Sequence, residues 1–345
     1  MTMLGFQGKT MGTGSQHAKG FTLIELMISL LLGLLLTGGI ISVFIEGKRN
    51  FVQDDEVSRV QENGRYALRL LSREIGMAGF FGGVPDSSDI SGGAVTTDCG
   101  TSGSDWLLNG TSPLEVIDDS ASSTGTYYTC LSGLVVDATD VVAIKRASDA
   151  PVIEDGEYQS GLTGLVSNRY YLHNKNRGLG GVDLKKGSQH DLAEIVGANN
   201  GSDVWEYYAS IFYIGTDDDG TPSLCKKEIL STSTGTGISG QRCLVSGVEN
   251  LQIELGMDND ADGFADQFVS NDTDPPVASA EDADNIVAIR IHVLARSINE
   301  INNFPAESRS YRLGGGTTVA TPVDRFYRLA LSATTVIRNP TSLVP

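Results

Sequence analysis

Asp258, Asp260 and Asp262 stand two residues apart and are followed by Gly263, Phe264 and Asp266. That is most of D-x-D-x-D-G, the opening of an EF-hand-type calcium loop, in which alternate oxygens converge on one ion and glycine permits a sharp turn. Phe264 falls where the loop offers a backbone carbonyl. The twelfth position is Val269 rather than the bidentate glutamate, and no flanking helices are predicted. Asp272 or Asp274 is close enough in the chain to substitute, and a solvated acidic turn between strands is the competing reading. Asp217-Asp218-Asp219-Gly220 reads as a hairpin turn, for which Asp-Gly is the strongest short-range signal.

Cys99, Cys130, Cys225 and Cys243 are even in number and follow an export-type segment, a pattern that points to two disulfides in an oxidising compartment. Pairing nearest neighbours gives Cys99–Cys130 and Cys225–Cys243. Zinc is the rival reading, but no C-x-x-C or nearby histidine supports it. The histidines make no catalytic set: His17 precedes the apolar segment, and His190 lies in the loop Lys185–Asp191. His173 and His292 fall within strand patterns and are expected at a surface or edge. With no phosphate loop, dinucleotide fingerprint or nucleophile–base motif, the chain does not read as an enzyme.

One charge sits where charge is costly. Glu25 is the only ionisable side chain from Phe21 to Ile45, a run of 25 residues. As a helix that run spans roughly 37 Å, enough to cross a bilayer, where an acid is rare without a partner. Lys9 and Lys19 put the leader side in the cytoplasm. No small-residue cleavage site follows Ile45, so the segment is expected to be retained. Beyond it Val57, Val60, Gly64, Ala67, Leu68, Leu71, Ile75 and Ala78 recur at steps of three and four, without proline before Pro85. The spacing predicts one helix from about Phe21 to about Gly79, apolar all round at first and one-sided later. Gly33, Gly38 and Gly39 weaken its first half, and serve either close helix packing or stretching.

After Gly82 the chain turns to Gly, Ser, Thr and Asp with short alternating apolar runs. Predicted strands are Val141–Arg146, Tyr170–His173, Tyr207–Ile214, Leu251–Leu255, Ile286–Ala295 and Phe326–Ile337. Asp86–Gly103 and Ser231–Gly240 read as loops, the second one mobile between Cys225 and Cys243. The expectation is an α+β fold, a long N-terminal helix packed on an antiparallel sheet head like a lollipop. With 25 basic and 43 acidic residues the net charge is -18, which argues against nucleic acid as a partner.

Gly20 followed by Phe21-Thr22-Leu23-Ile24-Glu25-Leu26-Met27-Ile28 resembles the class III signal of type IV prepilins. The resemblance implies that prepilin peptidase cuts between Gly20 and Phe21 and methylates the new amine. It gives assembly roles to Glu25 and Thr22, with Glu25 of an incoming subunit meeting the amine of a subunit already in the fibre. Val245–Phe268 (VSGVENLQIELGMDNDADGFADQF) and Phe326–Pro340 (FYRLALSATTVIRNP) resemble the PilW family of minor pilins, relatives of the J-type pseudopilins of type II secretion. Residues 85–205 carry no such likeness. The implied division is a leader at 1–20, a transmembrane and fibre-core half-helix at 21–45, an amphipathic half-helix at 46–80 and a periplasmic β-rich head at 81–345. The implied partners are the inner membrane, prepilin peptidase, other minor pilins, the major pilin and a tip adhesin. The implied place is the inner membrane before assembly and a surface pilus after it, just below the tip. A type II secretion pseudopilin and a calcium-dependent adhesive module are the alternatives.

Overall fold

A single helix, α1, runs from Leu23 to Gly76, within about three residues of each expected end. The computed structural model describes residues 20–338 except 85, 94, 96–98, 100–105, 118–127, 160, 198, 232–234, 271–284, 302–303, 307 and 315–316. The leader up to Lys19, Asp272, Asp274 and part of Asp86–Gly103 (94, 96–98 and 100–103) therefore lie outside the described residues. The chain divides into two compact units, up to Gln53 and from Asp54 onward.

In the first unit every large apolar side chain from Phe21 to Val52 is exposed. This part of α1 is long and apolar enough to cross a membrane. Its glycines do not break it: Thr37 Oγ1 donates to the Gly33 carbonyl at 2.7 Å and Ser42 Oγ to the Gly38 carbonyl at 3.0 Å. Each hydroxyl bonds back one turn, as Ser and Thr do inside apolar helices.

The second unit is antiparallel β-structure around the rest of α1. The first strands are β1 (Leu114–Ile117), β2 (Val141–Ala147), β3 (Ile153–Glu154), β4 (Glu157–Tyr158) and β5 (Tyr170–Asn174). They share a sheet with β6 (Val182–Lys186), β7 (Asp203–Thr216), β8 (Pro222–Ser231), β9 (Thr236–Ile238) and β10 (Arg242–Ser246). A second sheet contains β11 (Val248–Met257), β12 (Gln267–Ser270) and β13 (Ile286–Arg296). After a small ribbon, β14 (Ser310–Arg312) with β15 (Thr318–Ala320), β16 (Arg328–Val336) completes that sheet in the order β12-β11-β13-β16.

β7 organises the first sheet. Its opening residues pair with β5 and β3, and its later ones with β2 and β8. Phe212 and Ile214 face one core, while Tyr207, Ala209, Ile211 and Tyr213 face another. That is the period-two alternation of a strand with both faces covered. The first core joins both sheets to Ala67, Leu68, Leu71 and Ile75 of α1. Gly64 belongs to the same helix face, where an added Cβ would run into Leu331 and meet Ala295 at 3.3 Å. Polar ties reinforce the seam: Asn63 donates to the Ser246 carbonyl at 3.0 Å and Thr335 Oγ1 to the Ser72 carbonyl at 3.3 Å. The second core collects Phe81, Ile90, Cys99, Trp106, Leu107, Leu108, Tyr128 and Leu131 against β7.

Both disulfides are the nearest-neighbour pairs, Cys99–Cys130 and Cys225–Cys243. The α+β class and each expected strand are present, some longer than their patterns suggest. Two expectations fail. The stretch Ser231–Gly240 is not simply a loop, because β9 pairs with the end of β8 through Ile229↔Ile238. His173 is not at a surface: it is 2% exposed under the turn that carries Ser202, whose Oγ lies 3.1 Å from its Nε2. His292 is half-buried too, its Nε2 lying 2.8 Å from Glu254 Oε2 across the β11–β13 ladder.

Candidate functional site

Gly20 and Phe21 precede the helix in exposed, non-helical backbone. Thr22 is the residue before Leu23, the first helical position, and Glu25 is three residues on. Glu25 N–H donates to Thr22 Oγ1 at 3.3 Å, and Thr22 N–H donates to Glu25 Oε2 at 3.1 Å. This is a capping box, which satisfies reciprocally two backbone donors that a helix start otherwise leaves unpaired. The Thr22 hydroxyl also donates to the same Oε2 at 3.1 Å. Both bonds to the carboxylate fall on Oε2, and Oε1 accepts none among the described residues. The positive end of the helix dipole favours an anion there. The T-x-x-E spacing was readable in the sequence, and it gives Thr22 a physical part beside Glu25.

The acidic run Asp258–Asp266 forms the connection from β11 to β12, whose end residues Met257 and Gln267 are register partners. The structure brings together Asp258, Asp260 and Asp262, with one carboxylate oxygen of each within 4.8 Å of the others. Gly263 N–H donates to Asp258 Oδ2 at 2.8 Å, and Phe264 N–H to Asp262 Oδ1 at 2.8 Å. One oxygen of Asp266 is engaged within the loop, where Oδ2 accepts from Asn259 N–H at 2.7 Å. Ala261 and Gly263 hold left-handed backbone, φ +61° and +87°, and glycine is the residue that tolerates it. Burial raises the Asp258 carboxyl, but N–H groups led by that of Gly263 outweigh it and hold it below the usual carboxylate range. Repulsion from Asp262, with help from Asp266 and Asp258, raises Asp260. Val269, at the twelfth loop position, lies in β12 opposite Leu255.

The other acidic run is a turn, as expected. Asp217 Oδ1 accepts from the N–H groups of Asp219 and Thr221 between β7 and β8.

A charged cluster went unanticipated. Arg328 opens β16 with its side chain 3% exposed, forked onto Asp324 and Glu249. Arg296 stacks over the Phe326 ring at 4.2 Å beside it. Arg296 ends β13, Asp324 and Phe326 precede β16, and Glu249 lies at the start of β11.

The family model described as type IV pilus-assembly protein W matches residues 211–339. The model of the prokaryotic N-terminal methylation motif matches residues 15–41. The chain thus carries a PilW-type segment together with a pilin-type methylation motif. The PilW match runs from the middle of β7 through β16, so it holds the whole second sheet, the acidic loop and the Arg328 cluster. The methylation-motif match holds Gly20, Phe21 and the capping box. β1 to β6 lie outside both matches. No match was found among curated proteins or solved structures. The matched families are structural and pilin-type, and the apolar helix with its methylation motif fits a membrane-anchored pilin.

Proposed function

We propose that this PilW-type chain is a minor pilin that primes assembly of the type IV pilus and stays at or near its tip. Prepilin peptidase cuts it between Gly20 and Phe21 and methylates the new amine. The observation that carries this is the state of Glu25: one oxygen is occupied by Thr22 and the other is open, four residues from the future N-terminus. Inside a bilayer a carboxylate needs donors, and Thr22 supplies two while the subunit waits. On joining a fibre, Oε1 receives the Phe21 amine of a neighbouring subunit. Each charge then offsets the other's desolvation, and the contact sets the axial step between subunits. Other minor pilins, the major pilin and the assembly machinery are the partners, and a tip adhesin is carried above. The helix lies in the inner membrane with the β-rich unit in the periplasm until assembly moves the subunit to the surface. Two disulfides suit that oxidising compartment.

Mass spectrometry of membrane-extracted protein tests the processing, and a methylated Phe21 at the N-terminus is the expected result. An intact leader in a host with active peptidase sinks the proposal. Glu25→Ala is expected to be processed normally but to enter minor-pilin complexes at least about tenfold less. Thr22→Val, which keeps the β-branched shape without the hydroxyl, is expected to fall between it and wild type.

A further inference from the structure

We propose that the β11–β12 connection is a calcium site, built from Asp258, Asp260 and Asp262 with the Phe264 carbonyl and Asp266. The sheet already fixes the ends of this loop, since Met257 and Gln267 pair across it. A cluster of exposed acids alone would be an ordinary solvated turn. Asp258 makes this one different. Its residue is 6% exposed; Oδ2 accepts the Gly263 N–H, while Oδ1 is buried and has no hydrogen-bond partner among the described residues. A carboxylate oxygen left in that condition is costly unless a missing group completes it. The group must be cationic, because Asp258 shares this loop end with Asp260 and Asp262, one carboxylate oxygen of each lying within 4.8 Å of the others.

Calcium is the cation these donors suit. They are all hard oxygens, and the loop places them at the first, third, fifth, seventh and ninth positions of a calcium loop, with a left-handed glycine at the sixth. Val269 is locked into β12 at the twelfth, so water takes the place of the bidentate glutamate. Without that ligand the dissociation constant belongs with the extracellular calcium modules, about 10⁻⁴–10⁻³ M. Magnesium demands a nearly ideal octahedron of close ligands and gives up water reluctantly, so it is the poorer fit. The site is structural: it ties the hairpin end of the second sheet, and it stands or falls independently of the pilus reading.

The full-length chain in detergent, titrated calorimetrically with calcium chloride, tests it. One saturable site per chain is expected, with at least about tenfold weaker binding in Asp260→Asn and in Asp262→Asn. Both side chains are exposed, so neither substitution removes packing. Calcium is also expected to raise the thermal midpoint of wild type but not of Asp260→Asn. A flat wild-type titration overturns the site. So does binding that is unchanged in both variants, or magnesium chloride binding equally well, which would mark a diffuse attraction to a chain of net charge -18.

Discussion

Removing the buried cation of β16 is the sharpest test of how the second sheet is held. Arg328 donates from Nη1 and Nη2 to Asp324 at 2.7 Å each, and from Nε and Nη2 to Glu249 at 2.5 and 3.1 Å. Arg328→Ala strands two carboxylates whose side chains are only 12% and 19% exposed. Breaking a fully buried pair by deleting one partner costs about 3–5 kcal/mol, since the surviving charge is uncompensated. Here both acids keep some solvent, and Glu249 retains Arg296 at 3.8 Å, so the lower end applies, about 3 kcal/mol. For a unit of this size each kcal/mol moves the thermal midpoint by about 2–4 °C, so the expected drop is about 6–12 °C. Thermal unfolding of the full chain in detergent, followed by near-ultraviolet circular dichroism, reads it. Arg328→Lys keeps the charge but loses the planar fork and is expected to fall between the two. Neutralising the stranded acids as well, in Arg328→Ala with Glu249→Gln and Asp324→Asn, is expected to recover part of the loss. A drop below about 2 °C in the single variant refutes the magnitude. A triple variant no more stable than the single one refutes the charge argument and leaves only lost packing.

Two further outcomes follow from buried groups. Burial, with His190 and Lys175 adding, lowers His173 to about 4, against opposition from Asp183 and Glu194. The unfolded ring takes a proton near pH 6.5, so the stability of the neutral folded ring is complete above that pH and falls as pH drops toward about 4. His173→Gln is expected to flatten the thermal midpoint between those limits, and an unchanged pH slope would reject the assignment. At Gly82, φ is +63° and an added Cβ would come within 2.6 Å of Trp205 indole Nε1. Gly82→Ala is expected to cost about 2–4 kcal/mol in denaturant unfolding, from left-handed strain and overpacking together, whereas a loss under about 1 kcal/mol would show that the indole yields freely.

The N-terminal end of α1 and the β-rich unit keep their charges in different ways. Thr22 and Glu25 satisfy one another over a single turn of helix in a stretch whose large apolar side chains are all exposed. Lys145 is 2% exposed within β2, where its ammonium reaches the Thr111 carbonyl at 2.8 Å and lies 5.0 Å from the Trp106 ring centroid. The first arrangement leaves Oε1 without a donor among the described residues. The second closes around its charge, as does Arg328 with its two acids.

What the amino-acid order determined by itself was whatever repeats over a few residues. The three-and-four spacing set α1, T-x-x-E capped it, Asp-Gly turned β7 into β8, and alternation placed the longer strands. These depend on neighbours along the chain, because helix and strand return side chains to one face at fixed short periods. Tertiary structure alone decided which charges are buried. Nothing adjacent to Arg328 announces that Glu249 will lie across the sheet from it, and His173 is covered by a turn about thirty residues away. The same holds for β7, whose two halves pair with different strands, and for the second core, whose turns carry no repeating pattern. At the acidic loop the order supplied the ligands, but only the fold could bury Asp258 and leave Oδ1 without a partner. Burial is a property of what packs from elsewhere, and distant segments meet only when the chain is folded.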